Sequence, residues 1–417
     1  MAGSPIALGY RPDALVDLAS RHAHVRDIDM VIELKTGELI TSKSFNAAYG
    51  HLLKNPYGSF IKWPRTPKVA RIDYLPGEND LFVQTDTGVV LNTWLPGEII
   101  PAAGSFATIE ELMLELFPVE AEREHLLTLL AFVLQRPGQK VNHIVVITGP
   151  QGTGKSSFTK LVLSMVGRKN GRVVEGQVLA GRFWSDLYAC QLLIIEEVSL
   201  SDRRDVGNRM KPLITERTGR VEAKFIKERE MRSPDLILMV SNHKQPVVLE
   251  ESDRRTFATT WGAPKRESAF FDRLNKALPA ETPAFMAHLM ARDISAFNPA
   301  APPPMTDAKR AMASDSIPEP RRYLAELVEA EQGIYAKDLL IVGEVAMDLR
   351  GGGFPNMNVI QTGKLLAGIG GESLGQLPLG NRWQGQPRVW AIRNQDVWRA
   401  ATRTQLGEYM RDRHLFT

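Results

Sequence analysis

The sequence of 417 residues predicts an α/β fold built around a phosphate-binding loop, with an α+β and helical region before it and a tail of helices and a hairpin after it. Three observations carry that expectation. The stretch "GPQGTGKSSF" lies between an apolar run and a helically spaced run. Strand-like and helix-like patterns alternate from Lys140 to about Lys276. A segment rich in proline and small residues then separates this core from a tail with its own pattern.

The loop is the most specific feature. Val145 to Thr148 reads as a buried strand, and "SSFTKLVLSMV" has the apolar spacing of a helix from Ser157 through Met165. Between them the pattern G-x-x-x-x-G-K-S is complete, in the strand–loop–helix setting it needs. Gly149, Gly152 and Gly154 let the backbone wrap tightly, so that N–H groups point inward at an anion. Lys155 is expected to reach the β- and γ-phosphates and Ser156 to ligate Mg²⁺, with the positive end of the helix dipole aimed at the same charge. The nucleotide-binding stretch is thus Gly149, Pro150, Gln151, Gly152, Thr153, Gly154, Lys155, Ser156 and Ser157, and ATP with Mg²⁺ is the expected ligand.

Before the loop, residues 1–105 alternate short strand-like runs with turns, among them "MVIELKTGELI" around Thr36-Gly37, and predict an α+β domain. Residues 106–139 are apolar at helical intervals up to Pro137-Gly138, a helical segment that would serve as an oligomerisation collar. The nucleotide-binding core is assigned to 140–296 and a linker or extended strap to 297–320, around "FNPAAPPPMTDAKRAMASDSIPEP". The tail, 321–417, reads as helices over "RRYLAELVEAEQ", "AKDLLIVGEVAMD" and "NVIQTGKLLAGIG", followed by two strands across a turn containing Gly385. Helices ahead of a basic, aromatic hairpin resemble a winged helix, with Lys364 on the recognition helix and Arg382, Arg388 and Arg393 on or near the wing. The competing reading is a helical lid whose hairpin only packs, because Trp383 and Trp390 fit a core as well as a stacking platform.

Composition bounds the function classes. A formal charge of +3 announces no nucleic-acid partner, so such a surface must be local. The single cysteine, Cys190, excludes a disulfide framework and reads as a small buried hydrophobe in a reducing compartment. No run is long enough to cross a bilayer and "MAGSPIALGYRPDALVDLAS" is not a signal peptide, which predicts a soluble, cytoplasmic protein with no membrane partner.

After the loop, "CQLLIIEEVSL" predicts a buried strand over Leu192 to Ile195 with Glu196 and Glu197 at its end. Two adjacent carboxylates suit two tasks: Glu196 holds the metal's shell beside Ser156, and Glu197 polarises the attacking water. A second strand, Leu236 to Val240, ends in Ser241-Asn242, which places a carboxamide where it can donate to a phosphate or to that water. Arg254 and Arg255 follow in "SDRRTF". Between these strands, "MKPLITERTGRVEAKFIKEREMRSPD" reads as helix, short strand, a charged "KERE" tip and a return; Lys224, Lys227 and Arg229 there are candidates for a phosphodiester backbone.

In this order the motifs resemble superfamily III helicases, AAA+-related ring motors of small viruses, phages and plasmids. "GPQGTGKS", "LLIIEE", "ITERTGRVEAKFIKERE", "LILMVSNH" and "DRR" match the family's successive elements. "LQRPGQK" ahead of the loop is similar to the helicase part of phage and plasmid primase–helicases. The likeness covers about Asn92 to Trp261. It implies a P-loop AAA+-like ATPase core, Asn242 as sensor, Arg255 rather than Arg254 as an arginine finger acting on a neighbouring subunit, and Lys224 and Lys227 on a pore hairpin. It also implies a DNA-unwinding homo-hexamer on single-stranded or forked DNA in a bacterial host's cytoplasm, alongside a separate primase or polymerase. The alternative is a replication initiator or regulatory DNA-binding ATPase without processive unwinding. The departure lies before Thr108, where no spaced metal-binding carboxylates of a priming domain can be placed, which puts priming in doubt.

Overall fold

A computed structural model describes residues 12–181, 184–197, 203–223, 226–249, 252–262, 265–379 and 386–412. The chain divides into two compact units, Met1–Met312 and Ala313–Thr417.

The first unit begins with α1 (Pro12–Arg21), β1 (His22–Val25), β2 (Met30–Glu33), β3 (Leu39–Ile40), α2 (Ser42–Tyr49), α3 (Pro56–Lys62) and β4 (Lys68–Val69). Its strands form a sheet in the order β3-β2-β1-β4. Gly37, at φ 77°, makes the β2–β3 turn that the sequence predicts. Thr41 caps α2, and Asn55 caps α3 with Pro56 in its first turn. Leu15, Leu18, Phe45 and Phe60 close the core under the sheet. A second small sheet, β5 (Ile72–Asp73), β6 (Phe82–Thr85) and β7 (Gly88–Asn92), has the order β5-β7-β6. The buried Asn170 carboxamide donates to Leu95 O at 2.6 Å and accepts from the Tyr74 hydroxyl at 3.2 Å, fixing the segments beside this sheet to the central fold.

Two helices follow, α4 (Ala107–Leu116) and α5 (Glu120–Gln135). This segment, expected as a collar, buries Ile109, Leu112, Leu116, Leu126 and Leu130 in one core with the central strands. Its apolar face is therefore largely used within the unit.

The centre is a five-stranded sheet of β8 (Ile144–Thr148), β9 (Gly171–Glu175), β10 (Leu192–Glu196), β13 (Leu236–Ser241) and β14 (Thr256–Thr260). Its order is β14-β8-β13-β10-β9 and every pairing is parallel. Continuous apolar runs such as "IVVIT" and "LILMV" belong to strands covered on both faces. Here α6 (Lys155–Val166) connects β8 to β9 at the far edge, while β14 returns to the other side of β8. The strand order thus reverses at β8, where a crevice forms beyond the carboxyl ends. Cys190 is wholly buried, and burial pushes its thiol up to about 12.

Between β10 and β13 lie α7 (Arg203–Thr215) and an antiparallel hairpin, β11 (Thr218–Ala223) and β12 (Ile226–Arg232). "KERE", expected at the hairpin tip, lies instead on β12, where Arg229 pairs with Val221. Lys224 falls outside the described residues, as does the side chain of Lys227.

The unit ends with α8 (Ser268–Ala291) and α9 (Asp307–Asp315). The stretch expected as a linker is docked through residue 312. The buried Thr306 hydroxyl donates to Ala258 O on β14 at 2.5 Å and caps α9 by accepting from Lys309 N at 3.0 Å. Lys309, 2% exposed, donates to Asp253 O at 2.6 Å. Proline sets the extended path, but these polar anchors hold it down.

The second unit runs α10 (Glu319–Glu329), β15 (Leu339–Ile341), α11 (Val342–Gly351), α12 (Val359–Gly368), β16 (Glu372–Gln376), β17 (Arg388–Ala391), α13 (Gln395–Ala400) and α14 (Arg403–Asp412). The strands form an antiparallel sheet in the order β15-β17-β16. "LLI", read as part of a helix, is a strand, its three residues buried beside β17. Lys364 lies exposed on α12 and Arg388 exposed at the start of β17, whereas Arg382, Trp383 and Gly385 fall outside the described residues. Trp390 is a core residue, packed with Leu324 and Leu366. Arg393 is not a surface contact either. Its guanidinium donates to Tyr335 O at 2.8 Å and to Val328 O, and pairs with Glu331. Among the described residues no helix is long and apolar enough to cross a membrane.

Candidate functional site

The loop after β8 turns where its glycines allow it. Gly152 and Gly154 have φ of 76° and 103°, a region costly for any residue with a Cβ. Gly149 is needed for another reason: a Cβ there would stand 2.7 Å from the Trp261 ring, which itself stacks on Phe117. The Thr153 hydroxyl closes the loop by donating to Pro150 O at 2.9 Å. Lys155 opens α6, and its ammonium donates to Gly149 O at 2.7 Å and to Pro150 O. Burial pulls its pKa down while the carboxylate of Glu197 opposes that shift.

The register of the sheet decides what meets this lysine. Glu196 on β10 pairs with Val240 on β13, and Val240 pairs with Ile147 on β8. Glu197, Asn242 and Gly149 therefore leave three neighbouring strands within a residue of the same level. Glu197 adopts a left-handed φ of 53°, uncommon for glutamate, with its N–H donating to Val240 O at 3.2 Å. That turn brings its Oε1 to the Asn242 carboxamide, whose Nδ2 donates to it. The Asn242 Oδ1 is buried and has no partner among the described residues.

These groups enclose a cavity of about 410 Å³ lined by Gln151, Gly152, Gly154, Lys155, Ser156, Ser157, Lys160, Glu196, Glu197, Val240, Ser241, Asn242, Phe271 and Asn275. The structure brings together most of the predicted loop with both carboxylates and the carboxamide. It also supplies three residues that sequence reading misses. Lys160 carried a usable signal, one helical turn beyond Ser156. Phe271 and Asn275 carried none, since they arrive on α8, more than a hundred residues downstream.

Arg254 and Arg255 are elsewhere. Arg255 precedes β14, its carbonyl accepting from Ile144 N at 2.8 Å, whereas the loop follows the opposite end of β8. Five residues of strand at about 3.3 Å each separate the two levels by roughly 16 Å. The exposed Arg254 and the half-buried Arg255 line no part of the pocket, and Arg255 Nε is buried without a partner among the described residues. The hairpin enters β13 from that same end, and Arg229 Nε on it is likewise unpartnered.

With this geometry in hand, relatives can be compared. A family described as "Family of unknown function (DUF5906)" matches residues 147–255, the stretch from the loop to the arginine pair. The DNA primase-polymerase of Nitratiruptor phage NrS-1 is 30% identical over 151 residues, which cover 35% of this chain and 21% of the relative. The chain is related to that phage protein over this region, which spans about a fifth of the relative's length. The apo structure of the NrS-1 C-terminal region matches with a TM-score of 0.67 at 18% identity, over 90% of this chain and 97% of that one. A second apo form gives 0.65 at 16%, over 90% and 98%. The chain thus has the mixed α/β fold of that C-terminal region.

Proposed function

We propose that this chain is an ATP-hydrolysing DNA helicase of the superfamily III kind, with a P-loop AAA+-like core, acting in the replication of a phage, plasmid or related element in a bacterial host's cytoplasm. The observation that carries the reading is the convergence of Lys155, Ser156, Glu196, Glu197 and Asn242 on one cavity beyond the sheet. Lys155 neutralises the β- and γ-phosphates, and the loop N–H groups hold them in place. The Ser156 hydroxyl and the Glu196 carboxylate are hard oxygen donors in the same cavity and fit Mg²⁺, which needs few protein ligands when phosphates complete its shell. Bound there, the metal would offset phosphate charge. Glu197 accepts the proton of the attacking water, and the Asn242 amide holds that carboxylate in its strained turn.

Arg255 is too far from its own pocket to serve it, which supports action on the pocket of a neighbouring copy in a homo-hexameric ring. In this reading Lys224, Lys227 and Arg229 grip one strand of single-stranded or forked DNA. The kinship with a phage protein named DNA primase-polymerase supports a replication role beside a primase or polymerase. The second unit, with α12 ahead of the β16–β17 hairpin, supports a winged-helix-like duplex contact, and this favours the second reading, a replication initiator in which ATP only switches assembly. Forked-DNA assays of both polarities decide between them. Hydrolysis stimulated by single strands together with strand displacement is expected, and duplex binding without displacement would select the initiator.

A further inference from the structure

Two walls of the cavity, the loop and the strand ends, suit phosphates and a metal, but the third does not. It is the face of α8 carrying Phe271 and Asn275, one turn apart and so on the same side of the helix. The Phe271 ring stands beside the left-handed Gly154, its Cε1 3.7 Å from where a Cβ would project, and it is only half buried. A phosphate gains nothing from an aromatic face, which is the negative part of the ring's quadrupole. A flat heterocycle gains by stacking on it.

Asn275 offers a donor and an acceptor on one amide. That pair matches the amino group and N7 that adenine presents on its N7 edge, whereas on that edge guanine presents two acceptors, N7 and O6, and leaves the amide oxygen facing another oxygen. The helix is held firmly enough to aim them. Glu281 of α8 accepts from the N–H groups of Thr108 and Ile109 at 2.9 and 3.1 Å, capping α4, and Arg273 pairs with Glu111 at 2.8 Å.

We infer that Phe271 and Asn275 form a base subsite that stacks the heterocycle of a nucleoside triphosphate and selects adenine over guanine. The inference rests on the phosphate-site reading above. Titration calorimetry of the full chain with Mg-ATP, Mg-GTP and Mg-tripolyphosphate tests it, because the third probe has phosphates and no base. The wild type is expected to prefer ATP to GTP by about tenfold. Phe271→Leu, which keeps an apolar side chain against the core, should weaken ATP and GTP by about tenfold and leave tripolyphosphate unchanged, and Phe271→Trp should restore both nucleotides. Asn275→Ala should bring ATP and GTP to equal affinity. Equal wild-type affinity for ATP and GTP, or a loss for tripolyphosphate in Phe271→Leu as large as that for ATP, would overturn the inference. Lys155→Ala separates the two levels. If it loses all three probes while the Phe271 and Asn275 outcomes fail, the phosphate site stands without the base subsite. If it binds all three as the wild type does, or if the wild type binds none, the phosphate-site reading falls and the base subsite with it.

Discussion

At the carboxyl end of the central sheet, β8, β10 and β13 deliver Lys155, Glu197 and Asn242 into one cavity, where the carboxylate and carboxamide are already bonded to each other. Arg255 stands just before β14 at the amino end, and Arg229 lies on the separate hairpin that leads into β13; the Nε of each is buried with no partner among the described residues. The cavity end pairs its carboxylate with its carboxamide and leaves one carboxamide oxygen open, whereas away from it two guanidinium Nε atoms have no partner among the described residues. A buried donor left unpaired is costly, and the ring proposed above would let a neighbouring copy complete the two guanidinium groups. In the proposed ring the groups for reaction and those for a neighbouring copy would sit apart, so that changes in the two places should have separable consequences.

The largest separation is expected from Lys155→Ala. It should lower hydrolysis by about a thousandfold or more, measured as phosphate release, with an unchanged circular dichroism spectrum, since the ammonium touches loop carbonyls rather than a core. Glu197→Gln comes next. It should cut turnover by about a hundredfold while ATP stays bound, because shape and the Asn242 contact survive and proton acceptance does not. Equal loss of nucleotide affinity in both variants would contradict the division of labour within the cavity.

The amino end holds a titration of a different kind. His143 precedes β8, and its Nε2 lies 3.4 Å from Nε2 of His125. Burial is the main cause lowering both pKa values, to about 3 for His143 and about 4 for His125. Both imidazoles are therefore neutral when folded but protonate near 6.5 when unfolded. The unfolded chain binds more protons below that value, so stability is full above about pH 6.5 and is lost as pH falls towards 4 and then 3. A loss of about 4 kcal/mol by pH 5, about 2 from each ring, is expected, read from melting temperatures between pH 7.5 and 4.5. His143→Leu should flatten that profile without changing hydrolysis at neutral pH. The smallest effect is expected from Arg229→Ala, which should reduce the log–log salt slope of single-strand binding by about 0.7 and leave hydrolysis without DNA untouched.

The carboxyl end was legible in sequence and much of the remainder was not, for a physical reason. Strand β8, the loop and α6 are contiguous, and β10 and β13 announce themselves as apolar runs ending in polar residues, so local pattern sufficed. The register that sets Glu197 level with Asn242 is consistent with those runs but not stated by them. Phe271 and Asn275 depend on how α8 is tied to α4, a long-range fact. Thr306 and Lys309 were hidden in a proline-rich stretch whose composition suggests a linker, although two hydrogen bonds and an ion pair fasten it. "KERE" misled because a hairpin tip was placed by charge, whereas pairing of Val221 with Arg229 puts that stretch on a strand. Arg393 misled for a similar reason, since a cation in a basic segment was taken as surface and proves to satisfy buried carbonyls.

The central claim is that no copy of the chain holds a whole catalytic site, and subunit mixing tests it most directly. Arg255→Ala alone should bind ATP and hydrolyse it about a thousandfold more slowly, because the arginine meets charge that develops in the transition state. Lys155→Ala subunits retain a sound arginine, and Arg255→Ala subunits retain a sound loop. Mixed under conditions where subunit exchange is shown independently, for instance by energy transfer between labelled copies, the two inactive proteins should recover hydrolysis at interfaces where a sound loop faces a sound arginine. Exchange without any recovered hydrolysis would contradict the shared site.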